Sequence, residues 1–213
     1  MLVIGFVAQI LFGARLIFQW IRSEKAGRVL SPTLFWQLSL IASFLLIVYG
    51  VLRRDIVIIG GQAMAYFIYI RNLHFKNAWH YIPSWFRLFA ILAPIFSFLY
   101  LWLDGDFRFS SLIHNPDISI PLLTWGTAGQ IIFTFRFVCQ WLYSEKLKMS
   151  VLPSSFWWIS LLGSVMVLIY AVLRYDPVLF LGQVFGTGIY ARNLFLHFRS
   201  LALRSEKSKN KVV

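Results

Sequence analysis

Two arginines pose the chemical problem in this chain. Arg15 and Arg136 each stand inside an apolar run long enough to cross a bilayer: "MLVIGFVAQILFGARLIFQW" at the start and "ISIPLLTWGTAGQIIFTFRFVCQWL" over 118–142. Each lies about three or four residues past the middle of its predicted helix, roughly 5 Å at 1.5 Å per residue. A guanidinium near a bilayer centre costs about 2.5–3.5 kcal/mol even on lenient scales. Its planar fork suits a phosphate or carboxylate. Neither run holds an acidic residue deep inside it. The pattern predicts that both arginines face a shared cavity and hold an anionic group such as phosphate. Snorkelling of the side chains to the headgroups is the competing account.

Further polar groups accompany the arginines. Gln19 and Gln140 follow four residues later and so share their helix faces, while Gln9 and Gln130 lie about 120° around. Gln62 and Tyr69, with their counterparts Gln183 and Tyr190, are seven apart on one face of a later helix, and Asn72 and Asn193 lie some 80° away. These twelve residues form the candidate ligand-binding set. Glutamines also bond neighbouring helices within membranes. Arg71 and Arg192 point away from Gln62 and Gln183 and read as headgroup or loop contacts. Ser39, Ser43, Ser160 and Ser164 read as close helix packing.

Catalysis is not indicated. His74, His80, His114 and His197 are scattered in loops or at helix ends. Asp104 and Asp106 fall in a loop where a turn is the default. The sequence holds no glycine-rich phosphate loop, nucleophile elbow or paired carboxylates in a cleft. Cys139 is the single cysteine and reads as a small core residue. No cofactor or metal is implied.

The elements that place these residues come from a duplication. Shifting the chain by 121 positions aligns 5–75 with 126–196 without a gap, and 29 of the 71 positions are identical. "QWIRSEKAGRVLSP" from Gln19 returns as "QWLYSEKLKMSVLP" from Gln140. Each repeat carries three apolar segments, at 2–21, 34–52 and 56–75 and at 121–142, 156–173 and 177–198, with a seventh at 86–103. Each approaches the ~20 residues a spanning helix needs. The composition agrees: 59% of the chain is hydrophobic and 13% charged, where soluble domains are nearer a quarter charged.

The predicted fold is an all-α integral membrane protein of seven transmembrane helices. It divides into a first three-helix repeat (1–76), an interfacial segment, linker helix and outside loop (77–120), a second repeat (121–198) and a basic cytoplasmic tail without structure (199–213). The odd linker helix makes the two repeats parallel, as in some transporters. The formal charge is +12. With the N-terminus outside as a retained helix, 14 basic residues fall inside and 4 outside, which favours the C-terminus in the cytoplasm. Basic residues gathered in short loops indicate topology and anionic lipid, not nucleic acid. "SEK" falls in the first cytoplasmic loop of each repeat, and Ser31-Pro32 reads as an N-cap followed by a first-turn proline.

The motif GF-x-AQ-x-LF-x-x-R-x-x-x-QW-x-x-SEK, then P-x-x-FW-x-x-SL, Y-x-x-x-R-x-D and GQ-x-x-x-x-x-x-Y-x-RN resembles the lipid A biosynthesis N-terminal domain family. The resemblance covers both repeats. That family is similar to the PQ-loop and SWEET transporters, whose Pro-Gln dipeptide is replaced here by Ala8-Gln9 and Gly129-Gln130. The resemblance implies a SWEET-like plan in a bacterial inner membrane. It also implies a flippase or transporter of a phosphorylated lipid or lipid-linked sugar, such as a polyprenyl-phosphate sugar or lipid A precursor. A non-catalytic subunit that presents lipid to a membrane glycosyltransferase is the second implied role. Some members join this module to a glycosyltransferase domain. That domain is absent from the sequence, so no enzyme activity is expected.

Overall fold

The computed structural model describes residues 2–53, 56–103, 119–175 and 177–209. Among them are seven α-helices: α1 (Leu2–Ala26), α2 (Thr33–Arg53), α3 (Ile56–Phe75), α4 (Ser84–Leu103), α5 (Ile120–Leu147), α6 (Ser154–Leu173) and α7 (Pro177–Lys209). A 3₁₀ turn at Trp79–Tyr81 precedes α4. The described residues contain no strand. Among the described residues, four helices are long and apolar enough to cross a membrane, α1 from Val3, α2 up to Leu52, α5 and α6.

Polar groups are buried within a largely apolar core, while many large apolar side chains are exposed. Arg15, Gln19, Asn72, Arg136, Gln140 and Asn193 are buried. Phe6, Ile10, Phe67, Trp85, Phe96 and Leu162 are more than half exposed. So many exposed large apolar side chains suit hydrocarbon better than water.

The helices begin and end for local reasons, and three expectations are corrected. The "SEK" segments are not loops. α1 continues through Ser23, Glu24 and Lys25 to Ala26, and α5 through Glu145 and Lys146 to Leu147. Arg, Glu and Lys are good helix formers, so the helix outlasts the apolar run. α1 stops at Gly27, whose φ of +61° is left-handed. The Arg28 amide then donates to the Ser23 carbonyl at 3.2 Å, which closes a Schellman cap. The prolines also sit one position earlier than expected. α2 starts at Thr33, after Pro32, and α6 has Pro153 itself at its N-cap without a side-chain cap. The described part of the tail is helical: α7 runs unbroken through Arg199 to Lys209. Its 33 residues span about 50 Å. Its counterpart α3 ends at Phe75, where Asn77 at φ +54° and an Ala78-to-Leu73 hydrogen bond of 3.0 Å form the cap.

The chain forms two compact units, and they do not coincide with the repeats. One comprises Met1–Arg15, Thr33–Leu123 and Lys148–Ser150; the other comprises Leu16–Pro32, Thr124–Leu147 and Val151–Val213. In the first unit α2 packs on α3, and α4 lies against both. In the second unit α6 packs on α7, and Gly126, Gly129 and Gly163 let α5 lie close to α6.

Candidate functional site

Each arginine is held inside its own unit by aromatic rings. In the first unit the Arg15 guanidinium lies 4.4 Å from the Phe12 ring centre, 5.1 Å from Phe35 and 5.5 Å from Tyr69. In the second, Arg136 lies 3.3 Å from the Phe133 ring centre, 4.7 Å from Phe137, and 5.9 Å from both Phe156 and Tyr190. Phe12, Phe35 and Tyr69 become Phe133, Phe156 and Tyr190 under the 121-residue shift, so the two cages are copies. Phe12 and Phe133 precede their arginines by three residues and share their helix face. The second helix of each repeat supplies Phe35 or Phe156, and the third supplies Tyr69 or Tyr190.

The cage offsets the cost of burial. A desolvated cation–π contact is worth about 2 kcal/mol. Arg15 also donates through Nη1 to Ser39 Oγ at 2.5 Å and to the Tyr69 hydroxyl at 3.1 Å. Ser39 in turn donates to the Phe35 carbonyl at 2.5 Å. Ser39 therefore does more than permit close packing, as the sequence suggested: it is a hydrogen-bond acceptor for Arg15. Both arginines are about 95% buried, so their side chains do not snorkel into water. The guanidiniums are fixed in orientation, and a fixed fork is suited to an anion.

The glutamines lie at different depths. Gln19 is fully buried. Its Nε2 donates to Ser23 Oγ at 2.8 Å, to the Leu30 carbonyl at 3.1 Å and to Asn193 Oδ1 at 2.9 Å. Asn193 Nδ2 returns a bond to Gln19 Oε1 at 3.1 Å and donates to the Ile189 carbonyl at 2.9 Å. Gln140 repeats part of this pattern, donating to Ser144 Oγ at 2.8 Å and to the Val151 carbonyl at 2.8 Å. These amides pin the loop that follows their helix. Asn72 is equally buried, donates to the Ile68 carbonyl at 2.9 Å and accepts from Ser150 at 2.8 Å.

Other members of the predicted set lie elsewhere. Gln9 and Gln130 are exposed, one position past the buried Ala8 and Gly129. Asn193 therefore takes Gln19, and not Gln9 or Gln130, as its partner. Gln62 is half-buried and accepts from Ser43 Oγ at 2.8 Å. Gln183 is half-buried, and its carbonyl accepts from Thr187 at 2.7 Å. Asp104, Asp106, His114, Asp55 and Asp176 lie outside the described residues.

A bidentate ion pair adds to the sequence reading. Arg192 Nε donates to Glu24 Oε2 at 3.0 Å, and Nη2 donates to Oε1. Trp20 Nε1 donates to the same carboxylate at 3.2 Å. In sequence, Glu24 and Arg192 belong to opposite repeats, so spacing gives no cue to the pair. Just past α3, partial burial lowers the Lys76 pKa from the usual lysine value. Among the described residues, no group of three His, Cys, Asp or Glu converges as a metal site.

A family model described as "Lipid A Biosynthesis N-terminal domain" matches residues 4–74 and again 125–195. Curated relatives include proteins named lipid-A-disaccharide synthase. The one from Chlamydia pneumoniae is 30% identical over 194 residues, covering 88% of this chain and 31% of its own length. That from Chlamydia felis is 29% identical over 185 residues, covering 82% and 29%. That from Chlamydia trachomatis serovar D is 27% identical over 198 residues, covering 88% and 32%. The chain thus spans about a third of the length of these relatives. No solved structure matches.

Proposed function

Because the chain belongs to the Lipid A Biosynthesis N-terminal domain family, with one copy in each repeat, we propose that it moves a phosphate-bearing glycolipid across a bacterial inner membrane. The cargo class is a polyprenyl-phosphate-linked sugar or a lipid A precursor. In this reading all seven helices span, the repeats run parallel in a SWEET-like plan, the N-terminus is outside and the C-terminus is cytoplasmic. The protein is then a transporter and not an enzyme. The observation that carries the reading is the pair of buried arginines, each fixed in an equivalent aromatic cage. The rings hold each guanidinium in a fixed orientation, and its planar fork suits an anionic headgroup. Tyr69, Tyr190, Gln62, Gln183, Gln9 and Gln130 contribute to the path. Gln19, Gln140, Asn72 and Asn193 hold the surrounding helices in register.

A second reading follows from the relatives' name and length. The chain presents lipid to a membrane glycosyltransferase without moving it, and the remaining two thirds of those longer proteins supply the catalysis. Binding and movement separate the two. Purified protein is titrated with a phosphorylated polyprenyl glycolipid, and movement of that lipid is followed in proteoliposomes. Each charge-assisted bond is worth about 1.5–3 kcal/mol. Arg15→Gln and Arg136→Gln should therefore each weaken binding roughly 10- to 150-fold. Arg15→Lys should fall between, because it keeps the charge and loses the fork. Wild-type affinity in both glutamine variants removes the phosphate site. Wild-type binding without lipid movement selects the presenting role.

A further inference from the structure

We propose that Arg192 is a second phosphate site, closed in this structure by the chain's own Glu24, and that a phosphate group opens it by displacing that carboxylate. The inference rests on the reading that the ligand carries phosphate. Glu24 occupies the Nε–Nη2 edge of Arg192 with both oxygens. The same edge takes two oxygens of a phosphate in the same plane. An internal carboxylate on that edge is the chemical stand-in for an anionic headgroup.

The pair is built to exchange. Its side chains are 40% and 36% exposed, so solvent and an incoming anion reach it. Ion pairs this exposed are weak. Arg199 lies seven residues beyond Arg192, on the same face of α7, and attracts the same carboxylate. A phosphate carrying more than one negative charge gains more from two arginines than a carboxylate does. When displaced, Glu24 keeps the Trp20 indole as a partner. The adjacent layer does not need to open. Gln19 and Asn193 are fully buried and joined by two reciprocal amide bonds. They hold α1 to α7 while the outer pair changes partner. The displacement involves no covalent step: one anion leaves the guanidinium as another arrives.

The test uses the full chain in phosphatidylcholine nanodiscs. Glycerol phosphate is titrated as the soluble probe, and phosphatidic acid doped into the disc serves as the lipid probe. Glu24→Gln removes the internal competitor, so affinity should rise about two- to fivefold. Arg192→Gln should lower it at least about tenfold. A response with glycerol phosphate alone identifies free phosphate as the ligand source. A response with phosphatidic acid alone identifies a headgroup. Unchanged or weaker binding of both probes in Glu24→Gln, with gel filtration confirming a folded protein, overturns the proposal. Arg15→Gln, measured alongside, separates the two readings. If it weakens binding while Glu24→Gln does nothing, the central site stands and this one falls. The converse result removes the central site and keeps this one.

Discussion

Gly27 shows how much one backbone angle can carry. It ends α1 at φ +61°, and a Cβ placed on it meets nothing within 4 Å. The whole penalty of Gly27→Ala is therefore conformational, since an L side chain in the left-handed region costs about 1–2 kcal/mol. A loss of about 1 kcal/mol is expected, read as a lower unfolding midpoint in detergent, and Gly27→Asn should lose less because Asn tolerates this region. An unchanged midpoint for the alanine variant means that the Arg28–Ser23 cap does not constrain the loop. At this scale the sequence is only partly legible. The burial of Arg15 and Arg136 follows from a charge in an apolar run. The rings around them do not. Phenylalanine is so abundant in a chain with 18% aromatics that Phe12 and Phe133 look like lipid-facing residues. Their spacing of three from an arginine was the available signal.

Helix packing distinguishes the two repeats. Gly163 on α6 faces α5 so closely that a Cβ would lie 2.7 Å from the Phe133 amide nitrogen and 2.8 Å from its Cα. Backbone cannot swing aside as a side-chain tip can. The equivalent residue in the first repeat is Ala42, which is fully buried, so that repeat accommodates the methyl group that the second excludes. Gly163→Ala should destabilise by about 1–3 kcal/mol despite the better helix propensity of alanine. It should also weaken binding of the phosphorylated lipid, because Phe133 stacks on Arg136. A stabilised protein with normal binding contradicts this close approach. Identity at a spacing of 121 residues reveals the three-helix repeat, its apolar segments and its small residues. It does not reveal that α7 continues to Lys209, because a polar, basic stretch reads equally well as helix or as tail.

At the scale of the whole molecule, topology decides whether the arginine cages can serve a transport path. The α6 helix has the exposed Met149 before its first residue and the exposed Tyr175 beyond its last. Its 20 residues rise about 30 Å, the thickness of a bilayer core. If α6 spans, Met149 and Tyr175 lie on opposite sides. Arg28 stands in the loop that matches Met149 in the repeat, so parallel repeats place the two on one side. The excess of basic residues at that end predicts that this side is the cytoplasmic one. The expectation is checked by introducing Arg28→Cys, Met149→Cys and Tyr175→Cys singly into a Cys139→Ser background and adding a membrane-impermeant thiol reagent to intact cells. The Tyr175 position should label at once. The Arg28 and Met149 positions should label only after the membrane is opened. Labelling of Met149 but not Arg28 in intact cells makes the repeats antiparallel and contradicts the SWEET-like plan. Labelling of both, with Tyr175 protected, keeps the repeats parallel and inverts the whole protein, so that Arg192 and Glu24 face the outside and receive their phosphate from there.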